Sequence, residues 1–156
     1  MTKQIPLTQG KVALVDDDMY SYFMQWNYFY RNGYAAREIT AQSGKRITIY
    51  MHREVMNAPD GMKVDHRNTG KTLDNRRENL RICTHAQNLQ NTKKHRDNAS
   101  GYKGVHLNKH AKKWQASVMS GGSRHYLGLF DDPKAAARAY DAKARELFGE
   151  FARTNF

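Results

Sequence analysis

The spacing of apolar and polar positions changes several times along the chain, and each change marks an element. Between Asp16 and Tyr50 it predicts a short helix and three strands. Asp17-Asp18-Met19-Tyr20 opens like a helix N-cap, and residues 26–30, 34–39 and 45–50 are β-rich runs divided by turn residues. Asn32-Gly33 is the sharpest hairpin signal. Further on, residues 51–56 predict a helical turn, Pro59-Asp60-Gly61 breaks it, and residues 63–66 and 80–83 read as short strands. A helix over 84–91 follows, with Thr84 as its N-cap. In the last third, residues 102–107, 113–119 and 124–130 read as strands separated by Asn108-Lys109-His110 and Ser120-Gly121-Gly122-Ser123. Asp132-Pro133 then opens a helix whose alanines at 135, 136, 137, 139, 142 and 144 let it lie close to a sheet, and Gly149 stops it.

The expected class is α+β. A small N-terminal sheet (1–50) leads into a strand–loop–strand–helix unit (51–92), a basic linker (93–100) and a three-stranded antiparallel sheet packed on one C-terminal helix (101–156). The linker either lies along a polyanion or is a solvated connector. Eight of the seventeen aromatics fall between Tyr20 and Tyr34, and the core of a small sheet explains them better than a platform for stacked bases.

Composition narrows the function. At 156 residues, with 39% hydrophobic residues, the chain has enough apolar material for one domain or two small ones and is too short for a large multi-layer enzyme. Its single cysteine, Cys83, closes no intramolecular disulfide, and without a Cys-x-x-Cys pair no structural zinc is expected. No run reaches the ~18 apolar residues of a membrane span, and Met1 to Gly10 lacks the apolar core of a signal peptide. The expectation is a cytoplasmic protein, not secreted and without a membrane partner. Residues 1–60 hold seven Lys/Arg against six Asp/Glu, whereas residues 61–156 hold nineteen against nine. That asymmetry points the second part of the chain toward a polyanion, although a basic surface can also serve solubility alone.

The chemistry lies between Ile47 and Asn91. Asp65-His66 ends a strand, Asn79 follows after a loop, and Asn88 sits on the helix, with His52-Arg53, Asp74-Asn75-Arg76 and Glu78-Asn79-Leu80 around them. Together, in this order, these residues resemble the HNH nuclease family and its ββα-metal unit. The resemblance implies His66 as general base, whose imidazole accepts a proton near neutrality. It implies Asn79 as the residue that bonds backbone across the loop, and Asp65 and Asn88 as oxygen ligands of one divalent ion. Oxygen ligands suit Mg²⁺ first and Mn²⁺ second. It also implies products with 5′-phosphate and 3′-hydroxyl ends. Arg67, Arg76, Arg77, Arg81 and His85 are phosphate-contact candidates, each with a plain surface role as the alternative. His52 and Cys83 read as packing residues.

Gly101-Tyr102-Lys103-Gly104-Val105, Trp114-Gln115-Ala116, Tyr126-Leu127-Gly128-Leu129-Phe130, Ala135-Ala136-Ala137-Arg138-Ala139-Tyr140-Asp141 and then Gly149, Ala152 and Asn155-Phe156 resemble, in order, the apetala-two/ethylene-response-factor (ERF) domain. The resemblance implies a sheet that enters the major groove of DNA, with Lys103, His106, Trp114, Ser117, Met119, Arg124 and Tyr126 at the contact positions. Several of these are arginine in plant members, so their base code does not carry over, and Trp114 and Tyr126 can equally be packing residues.

The two resemblances imply a metal-dependent DNA endonuclease of the homing or mobile-element kind that nicks duplex DNA, with no small-molecule cofactor. No heptad or long apolar stripe enforces a dimer, so a monomer is favoured over a dimer. The alternatives are a restriction-type or general nicking nuclease, and a DNA-binding regulator whose HNH unit is silent.

Overall fold

The computed structural model describes residues 1–92, 94 and 98–156; four of the expected linker positions, Lys93, His95, Arg96 and Asp97, lie outside the described residues. The chain forms two compact units, Met1–Asn88 and Leu89–Phe156.

The first unit opens with a hairpin of β1 (Thr2–Pro6) and β2 (Val12–Asp16), antiparallel, with Ile5 opposite Ala13. The sequence pattern did not announce these strands, because β1 buries a single residue, Ile5, among polar neighbours. One 3-10 turn and the four-residue helix α1 (Tyr20–Phe23) follow. Strands β3 (Phe29–Arg31), β4 (Tyr34–Thr40) and β5 (Arg46–Tyr50) form an antiparallel meander. The β3–β4 turn is Asn32-Gly33, both at positive φ (49° and 95°), which a tight hairpin requires. Helix α2 (Met51–Met56) is tied to β4 by the largely buried pair Arg37–Glu54, 2.6 Å apart, with the Tyr28 hydroxyl also donating to Glu54 and Trp26 stacked on the Arg37 guanidinium.

Next come β6 (Lys63–His66), β7 (Leu80–Cys83) and α3 (His85–Gln90), the expected strand–loop–strand–helix. One core runs through this unit: Ile5, Val15, Phe23, Tyr28, Ala35, Met51, Val55 and Leu80 pack together, so residues on both sides of position 50 share one interior, to which α3 contributes no buried residue. The loop between β6 and β7 is sewn to β2, with Leu14 N donating to Leu73 O and Asn75 N to Leu14 O, both at 2.8 Å.

In the second unit, β8 (Val105–Asn108), β9 (Lys113–Ser120) and β10 (Ser123–Phe130) form the expected antiparallel sheet on α4 (Pro133–Phe148). Asp132 caps α4 by accepting from Ala135 N, Pro133 occupies its first turn, and Gly149 ends it at φ 52°. The alanine face works as the spacing suggests: Ala136, Ala137 and Ala144 are fully buried against Val105, Ala116 and Val118. Gly104 has φ 75°, and its missing side chain makes room for the Tyr140 ring, which a Cβ there would meet at 2.0 Å. The C-terminus is clasped by buried Asp141, which accepts from Asn155 N, Asn155 Nδ2 and Phe156 N at 2.8–3.0 Å.

Candidate nuclease site and nucleic-acid interface

His66 is the last residue of β6 and is buried, with Asp65 beside it. The antiparallel register sets Asp65 opposite Arg81 and His66 opposite Leu80. Asn79, immediately before β7, closes the intervening loop. Its Oδ1 accepts from Asn68 N at 3.0 Å, its Nδ2 donates to Lys71 O and Asp74 O, and its carbonyl accepts from Arg67 N at 2.7 Å. A loop held at four points cannot shift His66 independently of the β6–β7 frame. Asn88 lies on α3, half-buried, one turn beyond a capping box in which Gln87 N donates to Thr84 Oγ1 and Thr84 N to Gln87 Oε1.

The imidazole of His66 sits among rings. His52 meets it edge-on with centroids 5.2 Å apart, Tyr34 leans on it at 5.8 Å, and Tyr50 stacks on His52 from the other side at 5.6 Å. Burial holds the His66 pKa below the ordinary imidazole value, opposed by the Asn75 side chain and the Asp65 and Asp74 carboxylates. Burial likewise lowers His52, to about 3, and the neighbouring His66 adds to the effect. Both rings are therefore neutral at neutral pH. Tyr34 and Asn75 had no role in the sequence reading, which also gave His52 to packing alone. The available signals were His52-Arg53 and Asp74-Asn75-Arg76, which flank the motif.

Asp65 is engaged. Arg81 Nε and Nη2 both reach its Oδ2, at 3.0 and 2.7 Å, and both side chains are more than nine-tenths buried. Two further phosphate-contact candidates are also held by acids: Arg76 grips Asp74 with two bonds and pairs with Glu78, and Arg77 pairs with Asp16 and Asp18. Arg67 and His85 are exposed. Among the described residues no group of three or more His, Cys, Asp or Glu is placed to hold a metal ion.

Residues 57–90 match a family model described as HNH endonuclease. Protein 3.8 of Escherichia phage T7 is 34% identical over 95 residues, covering 61% of this chain and 77% of the phage protein. The chain belongs to the HNH endonuclease family. An uncharacterized HNH endonuclease of Acanthamoeba polyphaga mimivirus is 36% identical over 97 residues, 62% of this chain and 49% of that protein. The second unit has different relatives: an ethylene-responsive transcription factor of Arabidopsis thaliana is 52% identical over 46 residues, 28% of this chain and 18% of the plant protein. No solved structure gives a significant match. This HNH chain is thus fused to an ERF-like unit, and HNH nucleases generally use a divalent metal.

The ERF-like sheet has two distinct faces. Val105, Trp114, Ala116, Val118 and Phe130 face α4. The alternate row, formed by His106, Gln115, Ser117, Met119, Arg124, Tyr126 and Leu129, faces away from α4, as the pairs Met119↔Arg124, Ser117↔Tyr126 and Gln115↔Leu129 require. Five of the seven expected contact residues share this outer row. Trp114 does not, since it packs with Val105 and Ala116 in the core. Nor does Lys103: its ammonium donates to Gln90 O and Thr92 O at 2.6 and 2.8 Å, and burial lowers its pKa to about 8, with Arg153 adding to the shift. No helix of the described residues is long and apolar enough to cross a membrane.

Proposed function

We propose that this HNH protein is a divalent-metal-dependent, site-specific DNA endonuclease of the homing or mobile-element kind, which docks through the ERF-like sheet and nicks duplex DNA as a monomer in the cytoplasm of a bacterial or phage-infected cell. The observation that carries the reading is the buried His66 fixed at the end of β6, with the following loop locked by Asn79 and the ring packed against His52 and Tyr34. In this reading His66 takes a proton from water, the water oxygen bonds to phosphorus, and the phosphorus–O3′ bond breaks with O3′ taking a proton from solvent, leaving a 5′-phosphate and a 3′-hydroxyl. The Asp65 carboxylate and Asn88 carbonyl are hard oxygen donors, a set that fits Mg²⁺ or Mn²⁺ completed by phosphate and water rather than zinc. When bound, such an ion supplies charge neutralisation for the phosphate and the leaving oxygen.

The Asp65–Arg81 ion pair favours a second reading, a DNA-binding regulator with a silent nuclease unit, because it occupies the carboxylate that a metal would need. Incubation of the full chain with supercoiled plasmid, with and without Mg²⁺, separates the two. The nuclease reading expects open-circle product with Mg²⁺ only, its loss by roughly 10²–10⁴-fold in His66→Ala, and DNA binding nearly unchanged in that variant. Binding without cutting under all conditions, or cutting by His66→Ala at the original rate, would sink it.

A further inference from the structure

The outer row of the ERF-like sheet has an unusual chemistry for a surface that meets nucleic acid. The second unit is basic, with thirteen Lys/Arg against six Asp/Glu from Leu89 to Phe156. Yet along β9 and β10 the row carries one arginine, Arg124, and three large apolar side chains: Met119, Tyr126 and Leu129, of which the first two are more than half exposed. Arg124 forms no ion pair among the described residues, whereas Lys113, at the row's edge, is paired with Asp131 at 3.1 Å. Gln115 is constrained too. Its Oε1 accepts from Asn108 Nδ2 at 3.2 Å, and Asn108 Oδ1 in turn accepts from His110 N and Ala111 N. The Gln115 amide oxygen is thus already shared with Asn108, which fixes the side chain along the sheet.

Each outward rung thus sets an apolar group beside a polar one: Met119 beside Arg124, the Tyr126 ring beside Ser117, Leu129 beside Gln115. The thymine 5-methyl is the apolar group that the edges of the four bases offer in the major groove, and guanine N7 and O6 are the partners that suit an arginine fork. Against a groove of G·C pairs, methionine and leucine would cover the N7, O6 and N4 groups without replacing the hydrogen bonds these make to water, whereas a thymine methyl is an apolar partner. We infer that the outer face of β8–β10 selects duplex DNA by its thymine methyl groups, through Met119 and Leu129, with Arg124 placing a guanine alongside. The inference rests on the reading that this face meets duplex DNA and goes further by naming the base chemistry it selects.

The test is selection of bound duplexes from a random library by the full chain without divalent metal, followed by replacement of thymine with deoxyuridine in the selected duplex, which removes the methyl group and leaves base pairing intact. Enrichment of thymine-bearing sites with a guanine is expected. Each contacted thymine replaced by deoxyuridine should weaken binding about three- to fivefold, since one buried methyl is worth ~0.8 kcal/mol. Met119→Ser, a change at an exposed position, should lose the same factor on the thymine duplex and no longer distinguish it from the deoxyuridine duplex there. Arg124→Ala should relax the guanine preference. G·C-only sites, or equal affinity for thymine and deoxyuridine duplexes, would overturn the inference and leave the docking role standing. Failure to bind duplex DNA would overturn both.

Discussion

Replacing Arg81 by Met tests the electrostatics of the candidate site directly. The Arg81 and Asp65 side chains are 7% and 6% exposed, and Arg81 Nε and Nη2 bond the same carboxylate oxygen. Methionine fills much of the arginine volume but takes away the guanidinium that balances the buried Asp65 carboxylate, so the loss is set by the charge stranded there. Breaking such a pair from one side costs roughly 3–5 kcal/mol, a large share of the 5–15 kcal/mol that holds a typical domain together. The assay is urea unfolding followed by tryptophan emission, where Trp26 reports the first unit and Trp114 the second. At a slope of about 2 kcal/mol per molar urea, the first-unit midpoint should fall by about 2 M while the second stays in place. The double variant Asp65→Asn/Arg81→Met, which removes the stranded charge, should regain most of that loss. If Asp65 also ligates a divalent ion, Mn²⁺ should stabilise Arg81→Met more than the parent protein, because the competing guanidinium is gone. A shift below about 1 kcal/mol, or a double variant as weak as the single one, would refute a stranded charge as the cause.

The ring cluster predicts a pH dependence. His52 has a folded pKa of about 3 against an ordinary 6.5, so the unfolded chain takes up a proton that the folded one refuses; stability is full above pH 6.5 and falls as the pH drops toward 3. Between pH 7 and 5 the loss should be about 1–2 kcal/mol, and His52→Phe should flatten that part of the curve, as pH-resolved urea midpoints would reveal. An unchanged slope in the variant would count against the burial of a neutral His52. For catalysis the depressed His66 pKa implies that single-turnover nicking keeps its rate below pH 6.5; a rate that already halves at or above that value would contradict it. In the second unit, Gly104→Ala should cost about 3 kcal/mol, because its Cβ would strike the buried Tyr140 ring from a left-handed backbone; thermal unfolding should show only the second transition moving.

The sequence by itself determined the elements whose signals are local. Asn32-Gly33 specified a hairpin because few residue pairs tolerate positive φ twice in succession, and Asp132-Pro133 and Gly149 bounded α4 because caps act within one turn. The order Asp65-His66, Asn79, Asn88 marked the ββα frame for the same reason, since strand, loop and helix are contiguous in the chain. Tertiary structure decided how each charge and ring is used. Asp65 meets Arg81 only through the β6–β7 register, Arg77 meets Asp16 and Asp18 from about sixty residues away, and the rings around His66 come from β4, β5 and α2. Lys103 and Trp114 had the composition of DNA contacts, yet one bonds backbone carbonyls and the other faces α4. A side chain's partner is set by the face and register on which it falls, and a one-residue step reverses the face. Residue type therefore announces which chemistry is available, while long-range packing assigns it.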